Sequence, residues 1–522
     1  MKKNFKFIVI SMVVIMIMIL MVGGVSKQRV LYSKNSNNMP KIEVKPYDIS
    51  FFEDYYNINQ NQWNENIISF EKGLLGTNAW SISPVLESDL IMYEVTKDPK
   101  YLNRLIDNLD LIIKERDCIK GRKNFKGEIS PTWSSGNLYH STFEDLKNKK
   151  GEPIIRVITY GKELWSPLWN GNNTTYITVS AGTNLNSFKV RIDNPERIYI
   201  GSEECFDETY DNLNFGKNEI ILDNEHVKII KLKKGAKSPE DNPISFERRM
   251  IENQLQPYVV HTGLYTKTMA DLVYLIKNSD LNDYYQHKAD EYLKVITEAV
   301  AYHDKEWVNM PNNRGYYKIA EDDLQWPNNV ILPWNQMFGL LETMVSLYKI
   351  TGDEAYKNKI ERAANHFMDH VTLNKEKDLY IWNYWEWEGY TGRESHTYAK
   401  LDAEFIARCY DAGIVFTELD MRRFANTWAT NFIKTGGKLA NRVDGTGERG
   451  YEYYVAYAND FSLCEPIIFE KSVIWLDEWK EKIEPNDVGY LKSIAKTVKY
   501  KKILDPDYHD QTFKKSTERY RR

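Results

Sequence analysis

The chain has 522 residues, more than one average domain, which predicts one large domain with a smaller one added. Charged residues make up 27% and apolar residues 42%, so the composition is that of a globular protein and excludes a wholly disordered one. A net charge of −5 argues against a nucleic-acid-binding protein.

The first 25 residues predict a transmembrane helix. Lys2, Lys3 and Lys6 precede an apolar run, residues 7–25, whose 19 residues span about 28 Å as a helix, close to the thickness of bilayer hydrocarbon. Cleaved signal peptides have a shorter core, so we favour an uncleaved single-pass anchor in the cell membrane, with the body on the extracytoplasmic side. Cleavage, which would give a secreted protein, is the alternative. Residues 26–46 are polar and predict a flexible tether.

Three regions with different apolar patterns follow the tether, and a basic end completes the chain. Residues 47–117 are predicted to be helical, and residues 245–479 return to helical spacing. Residues 118–244 contain short β-branched runs between turn residues, which predict a β-sandwich-like module. Residues 480–522 are rich in lysine and arginine and are predicted to form a solvated tail. The predicted strands are residues 154–160, 174–179, 188–192, 198–200, 219–222 and 227–232.

A short motif recurs in the two helical regions, as Tyr93-x-x-Thr96-x-Asp98-x-x-Tyr101 and as Tyr348-x-x-Thr351-x-Asp353-x-x-Tyr356. Each copy follows one amphipathic helix and opens another, and we expect its threonine to cap the new helix with help from the aspartate. Such a repeat is typical of helical hairpins, although chance use of a common junction is the alternative. The predicted fold class is therefore mainly α: an (α/α) toroid of helical hairpins, with an inserted β-sandwich-like module and an N-terminal transmembrane helix.

An aromatic segment between residues 380 and 402 has the most unusual composition in the chain. It holds Trp382, Trp385 and Trp387 among several ionisable residues. Burying unpaired charge is costly, and a solvent loop rarely holds so many tryptophans. We therefore predict a cleft in which these tryptophans bind sugar rings, with a packing loop of paired charges as the alternative.

The catalytic residues that we predict lie where this segment enters a helix, and they are Arg393, Glu394, His396 and Tyr398. A histidine can act as a base near neutral pH, and a tyrosine can do so if a nearby arginine lowers its pKa. Glu394 would act as a general acid or orient the histidine. A helix-capping cluster with a packed histidine is the alternative.

Substrate-binding residues are predicted at three other junctions before helices. Asn335 and Gln336 could bind a carboxylate or sugar hydroxyl groups, or Asn335 could simply cap its helix. His261 is either a cleft residue or a buried histidine. Asp444 and Tyr453 could form the rim of the cleft, or a plain turn beside exposed tyrosines.

No metal site and no cofactor are predicted. The four cysteines lie far apart without a CxxC pair, and we find no HExxH motif, P-loop or nucleotide-binding fingerprint. The expected partners are a polysaccharide or oligosaccharide substrate and the membrane, with no nucleic acid. The sequence leaves the oligomeric state open.

Three stretches carry a resemblance to a known group: LPWNQMFGLLETMVSLYKITGDEAY, RESHTYAKLDAEFIARCYDAGIVFT and VDGTG. Together they resemble the six-hairpin (α/α) toroid superfamily of carbohydrate-active proteins, which includes polysaccharide lyases, glycoside hydrolases and proteins similar to glucuronyl C5-epimerases. Toroids similar to alginate lyases often carry Asn-His at one inner helix, where this chain has Asn335-Gln336. The resemblance implies an exported enzyme that acts on a cell-envelope or extracellular polysaccharide, including a uronic-acid-containing one, by proton abstraction of the lyase or C5-epimerase type.

Two other functions stay open. A glycoside hydrolase needs two carboxyl groups about 5–9.5 Å apart, and eight residues along one helix would separate Glu394 and Asp402 by about 12 Å. That distance argues against this pair, although another junction could supply a partner. The third hypothesis is a non-catalytic glycan-binding or envelope-assembly protein.

Overall fold

The computed structural model describes residues 48–68, 75–136, 142–159, 176–194, 206–224, 227–249, 255–320, 323, 329–387, 391–434, 438–448, 450–483 and 487–504. The predicted membrane helix and tether, residues 1–46, lie outside the described residues. Of the helices in the described ranges, none combines the length and the apolar character needed to cross a bilayer.

The described chain is mainly α-helical. Its helices are α1 (Ile49–Ile68), α2 (Leu75–Thr96), α3 (Pro99–Lys114), α4 (Asp117–Lys120), α5 (Val259–Lys277), α6 (Asn282–Tyr302), α7 (Trp334–Thr351), α8 (Glu354–Asp369), α9 (His396–Asp411), α10 (Glu418–Asn426), α11 (Ile467–Trp479) and α12 (Val488–Leu504). A short π-helical turn, Thr427–Phe432, follows α10, and a 3₁₀ helix, Glu452–Phe461, precedes α11.

Six of the described elements, which we call the inner elements, pack against one another in a closed order. Helix α2 packs against α5, α5 against α7, α7 against α9, α9 against the 3₁₀ helix, the 3₁₀ helix against α12, and α12 again against α2. Neighbours in this order run parallel, because residue numbers rise together across each contact. For example, Glu87 pairs with Lys492 at 2.6 Å, and Glu94 pairs with Lys499 at 2.9 Å.

Each inner element carries a helix on its outer side. Helices α3, α6, α8 and α10 pack on α2, α5, α7 and α9, while α11 packs on the 3₁₀ helix and α1 contacts α12 and α2. An outer helix buries one stripe only: α8 buries Ile360, Ala363, Ala364 and Phe367, the spacing of a helix with one face on a core. The inner helices are buried on several sides because they have neighbours on both flanks and an outer helix behind.

Helix α12 corrects the prediction of a solvated tail. Residues 488–504 form an inner helix in which Tyr490, Leu491 and Ile494 are fully buried. Lys492 and Lys496, which contribute to the basic composition, point inward to carboxylates. Lysine-rich composition suggested solvent exposure, but these ammonium groups have buried partners.

The module between α4 and α5 consists mostly of strands. The strands of the chain are β1 (Ser134–Gly136), β2 (Thr142–Lys147), β3 (Pro153–Thr159), β4 (Tyr176–Ala181), β5 (Phe188–Asn194), β6 (Phe206–Leu213), β7 (Ile220–Asp223), β8 (Val227–Lys231), β9 (Phe246–Arg249), β10 (Leu255–Pro257), β11 (Trp307–Met310), β12 (Arg314–Tyr317), β13 (Thr372–Asn374), β14 (Leu379–Ile381), β15 (Ile433–Lys434) and β16 (Lys438–Leu439). Two antiparallel sheets, ordered β2-β3-β8-β7 and β6-β5-β4-β9, bury one shared apolar cluster, as the sheets of a β-sandwich do.

Five of the six predicted strands overlap strands of these two sheets, and residues 198–200 lie outside the described residues. Strand β9 extends the module beyond the predicted boundary at residue 244, since it pairs with β4. Strand β6 and strand β2 were not predicted, because acidic residues interrupt their apolar alternation. Strands β1 and β10 pair with each other and bring the two ends of the module together.

The recurring motif forms the same junction twice. Asp98 accepts a hydrogen bond from the N–H of Lys100 at the start of α3, and Asp353 accepts one from Ala355 at the start of α8. The preceding threonines end the inner helices and accept from the backbone N–H of these aspartates. The prediction that threonine is the cap was therefore wrong: aspartate caps each outer helix.

Candidate functional site

The predicted junctions gather at one end of the inner elements. Because those elements run parallel, the starts of α5, α7, α9 and the 3₁₀ helix lie on the same side. His261, Asn335, His396 and Tyr453 all belong to these first turns. The candidate site is therefore this end of the inner elements.

Backbone hydrogen bonds fix the segment that enters α9. The N–H of Glu394 donates to the carbonyl of Trp382 at 3.2 Å, and the N–H of Val443 donates to the carbonyl of Glu394 at 2.9 Å. One residue later, the N–H of His396 donates to the carbonyl of Asn441 at 2.9 Å. Residues from two other loops thus hold the start of α9 in a single conformation.

Glu394 and Asp402 form a buried pair of carboxyl groups. Glu394 Oε1 accepts from the N–H of Ser395 at 2.7 Å, Asp402 Oδ2 accepts from the indole of Trp382 at 2.9 Å, and the two side chains interact with each other. Two carboxyl groups that interact in a buried place favour sharing a proton over carrying two negative charges. Burial, and next the charge of Asp402, raises the pKa of Glu394 well above its usual range, and burial raises the pKa of Asp402 to about 7.

The rise along α9 does not set the separation of this pair, because Glu394 lies before α9 rather than on it. Both carboxyl groups are fully buried and interact with each other. The two carboxyl groups of a glycoside hydrolase must instead reach the sugar and a water. The evident effect of Glu394 and Asp402 is to hold the entry of α9 against Trp382.

The four predicted catalytic residues do not converge. Residues two apart on a helix point to different sides, and His396 and Tyr398 follow that rule. His396 is fully buried and lies against Tyr454, with 6.4 Å between ring centroids, while Tyr398 is half-buried against Tyr384 at 5.2 Å. Arg393 donates instead to the side chain of Asn383. The sequence could not show these directions, because the helix start had to be known first.

Lys400 joins His396 on the inner face of α9 and was missed. It lies four residues after His396, on the same side of the helix. Its Nζ lies 3.9 Å from the ring centroid of Tyr454 and 4.7 Å from that of Tyr457. Burial, and next the positive charge of Lys492, lowers the pKa of Lys400 to about 8. An imidazole, an amine and a phenol thus meet at Tyr454.

The tryptophans of the aromatic segment mostly pack inside. Trp382 and Trp385 expose 2% or less of their surface, and the Trp385 indole donates to the carbonyl of Ile331 at 2.5 Å. Trp387 is half-buried and lies 5.3 Å from the Trp385 ring. The prediction that all three stack on sugars is therefore not met by Trp382 and Trp385, whose faces are already covered by protein.

Asn335 and Gln336 occupy the buried first turn of α7. Pro333 is the N-cap, so the alternative in which Asn335 caps the helix is wrong. Asn335 is 1% exposed, and its Oδ1 accepts no hydrogen bond from the described residues. His261, at the start of α5, is fully buried with its ring 5.1 Å from that of Tyr258, as in the buried-histidine alternative.

The last two predicted residues also have structural contacts. Asp444 Oδ1 accepts from the N–H and hydroxyl of Thr446, which closes a turn. Tyr453 is fully buried and donates to Asp487 Oδ2 at 2.5 Å. The neighbouring Tyr454, half-buried and next to His396, is the tyrosine that the structure places at the candidate site.

A cluster of buried charges fills the centre below these residues. Lys267 Nζ lies 2.9 Å from Glu87, 3.6 Å from Glu404 and 3.8 Å from Glu342. Lys492 pairs with Glu87 at 2.6 Å and with Glu404 at 2.7 Å. Burial raises the pKa of Glu342 to about 7. We call Glu87, Lys267, Glu342, Glu404 and Lys492 the central charge cluster.

Arg408, Lys496 and two further aspartates surround the central charge cluster. Arg408 donates two hydrogen bonds to Asp271, at 2.8 and 2.6 Å, and its Nε lies 3.1 Å from Glu342. Lys496 lies 2.5 Å from Asp460. The sequence does contain the signal, since charges recur every four residues on otherwise apolar helices. Among the described residues, no group of His, Cys, Asp and Glu is arranged to hold a metal ion.

Comparisons with protein-family models, with curated proteins and with solved structures find no match.

Proposed function

We propose that the helical part is an (α/α) toroid of six hairpins and that the protein is an exported, membrane-anchored enzyme that acts on a polysaccharide. The closed order of packing among six parallel inner elements supports the toroid. The apolar run at residues 7–25 supports export and anchoring. One fold can carry many different functions, so the reaction depends on the side chains at the candidate site.

The observation that carries the proposal is the group formed by His396, Lys400 and Tyr454. All three can exchange protons, and Tyr454 contacts both of the others. Lys400 and Tyr454 are half-buried, whereas His396 is fully buried. Proton abstraction by such a group does not need the pair of carboxyl groups on which glycoside hydrolysis depends.

The reaction we propose is abstraction of the proton at C5 of a uronic acid. A base, His396 or Tyr454, breaks the C5–H bond and takes the proton, while the electron pair moves toward the neighbouring carboxylate. In elimination, the pair then forms the C4–C5 double bond as the C4–O bond breaks, and the departing oxygen takes a proton from whichever of His396 and Tyr454 did not act as the base. In epimerisation, a proton returns to C5 from the opposite face.

Hydrolysis is the weaker alternative because of the geometry of Glu394 and Asp402. Those carboxyl groups are fully buried and interact with each other, so neither is placed to reach a sugar or its attacking water. The carboxylates of the central charge cluster are ion-paired with lysines.

The test incubates the full-length chain with a panel of acidic and neutral polysaccharides. We expect new ultraviolet absorbance from an unsaturated uronate, or incorporation of deuterium at C5 in heavy water. Reducing ends without either signal would indicate hydrolysis, and no change in any polysaccharide would overturn the proposed enzyme.

Variants of the two tyrosines distinguish the site from its surroundings. His396→Ala and Tyr454→Phe should each lower the rate by about 100-fold or more, the usual loss when a general acid or base is removed. Tyr398→Phe is the matched control, since its ring packs on Tyr384, and it should keep most activity. Equal losses in Tyr454→Phe and Tyr398→Phe would contradict this assignment.

A further inference from the structure

Lys400 differs from the fully buried lysines of the inner elements. Lys267, Lys492 and Lys496 each lie within 2.9 Å of a carboxylate oxygen. Lys400 has no ion pair with the described residues, and its ammonium instead lies over the faces of Tyr454 and Tyr457. An ammonium group held without an anion in a partly desolvated position is well placed to receive one.

The charges around Lys400 reinforce this difference. Lys492 and Lys267 repel its positive charge, while Asp487 and Glu404 attract it from positions outside ion-pairing distance. Those two carboxylates are already engaged, because Asp487 accepts from Tyr453 and Glu404 pairs with Lys492. Lys400 is thus a half-buried cation whose nearest carboxylates already have other partners.

The position of Lys400 fits the chemistry at His396. The two side chains lie one turn apart on the same face, and Tyr454 spans both. An anion at Lys400 would therefore place its parent sugar beside the imidazole and the phenol. A cation at that point also stabilises the negative charge that builds up on the carboxylate when C5 loses its proton.

We propose that Lys400 binds the carboxylate of an acidic sugar, so that the substrate is a uronic-acid-containing polysaccharide. This inference rests on the proposed function and assigns to Lys400 the carboxylate-binding role that the sequence suggested for Asn335 and Gln336. Tyr454 and Tyr457 hold the ammonium by cation–π contacts, which keep it charged and directed without consuming its capacity for an anion.

The first experiment compares an acidic polysaccharide processed by the full-length protein with its carboxyl-reduced form. Wild-type protein should process the acidic form, and Lys400→Met should lose at least about tenfold in kcat/KM on it, as expected when a charged group loses its partner. Lys400→Arg should restore part of the loss because it keeps the charge. On the carboxyl-reduced form, wild type and Lys400→Met should be equally poor.

Lys305→Met is the matched control. Lys305 also lies 3.9 Å from a tyrosine ring centroid, that of Tyr302, but it is exposed and away from the inner face of α9. It should leave kcat/KM unchanged. Wild-type activity on the acidic polymer with an unchanged KM and kcat in Lys400→Met would overturn the role of Lys400 while leaving the proposed enzyme standing.

A second experiment needs no turnover. Reductive ¹³C-methylation labels lysine amines, and the Lys400 resonance is assigned by its absence in Lys400→Arg. Added polyglucuronate should shift that resonance and raise the pKa of the amine, because a bound carboxylate favours the charged form. An equal concentration of neutral dextran should change neither the Lys400 resonance nor the pKa of its amine. No shift with polyglucuronate, or the same shift with dextran, would overturn the inference even if no catalytic activity is found.

Discussion

One face of α9 carries four ionisable side chains at intervals of four residues: His396, Lys400, Glu404 and Arg408. The spacing stacks them along one side of the helix. The upper two meet aromatic rings, and the lower two meet opposite charges on other inner elements. The side chains on this face therefore belong to the proposed reactive group near the start of the helix. Farther along the helix they form ion pairs that hold the inner elements together.

Lys267 tests the structural part of this arrangement. Replacing it by methionine leaves Glu87, Glu342 and Glu404 with less positive charge in a buried place, so we expect Lys267→Met to lower the free energy of unfolding by about 3–5 kcal/mol. Urea denaturation measures the change. Lys438→Met, which removes the exposed pair with Glu448, should leave the midpoint close to that of wild type. A similar, small effect of both variants would contradict a stabilising role of the cluster.

Glu394 gives a prediction about pH. Folding raises the pKa of Glu394 and Asp402, so the folded state holds protons that the unfolded state releases above about pH 4. The stabilisation from this pair is fully present below that pH and is lost as the pH rises through the folded pKa, which for Asp402 is about 7. Glu394→Gln keeps a donor toward Asp402 without an ionisable proton. Relative to wild type, it should gain up to about 1.4 kcal/mol of unfolding free energy per pH unit between about pH 5 and about pH 7.

Urea denaturation across that pH range measures the gain. Glu376→Gln, at an exposed position, is the control and should follow wild type at every pH. A constant difference between Glu394→Gln and wild type would show that Glu394 is ionised in the folded protein.

At the scale of the elements, the two threonine–aspartate junctions show how the hairpins are made. In each, the threonine hydroxyl donates to a carbonyl of the inner helix that it ends, and the aspartate begins the outer helix. One tripeptide therefore stops one helix and starts the next, which allows the chain to reverse within a few residues. The repeated motif therefore does mark a repeated structural unit. Its threonine and aspartate, however, have roles other than those predicted.

Asp98→Ala and Asp353→Ala test that equivalence. Each removes an N-cap acceptor and should lower the free energy of unfolding by about 0.5–2 kcal/mol, with similar values at the two sites. Asp98→Asn and Asp353→Asn keep the acceptor and serve as controls, with little expected change. A loss confined to one junction would mean that tertiary contacts, rather than the cap, hold the other helix start.

At the scale of the whole molecule, α12 closes the order of inner elements. Lys499 of α12 lies 405 residues after Glu94 of α2 along the chain, yet its Nζ donates to Glu94 at 2.9 Å. Lys492 also brings positive charge to Glu87 and Glu404 at once. Without α12, which also carries Lys496, these two carboxylates would keep ion pairs with Lys267 alone among the described residues.

Removal of α12 by truncation tests whether this helix is needed to complete the closed order of the inner elements. A chain ending after Asp487 lacks α12 and should lose cooperative thermal unfolding by circular dichroism, because it exposes apolar faces of α2 and the 3₁₀ helix and leaves buried carboxylates short of partners. A chain ending after Leu504 keeps α12 and is the control. Cooperative unfolding of the shorter chain near the wild-type temperature would show that the packing of the other inner elements does not depend on α12.

The sequence by itself determined the mainly helical character, the β-rich module and the helix starts near residues 334 and 396, because apolar periodicity and turn residues act locally. Only the tertiary structure decided that Trp382 is buried, that Lys492 faces inward, and that His396 meets Lys400 and Tyr454. Those outcomes depend on contacts between helices distant in the chain. The residue type limits the chemistry that a side chain can perform. The tertiary contacts of that side chain determine whether it is buried, paired or available to a ligand.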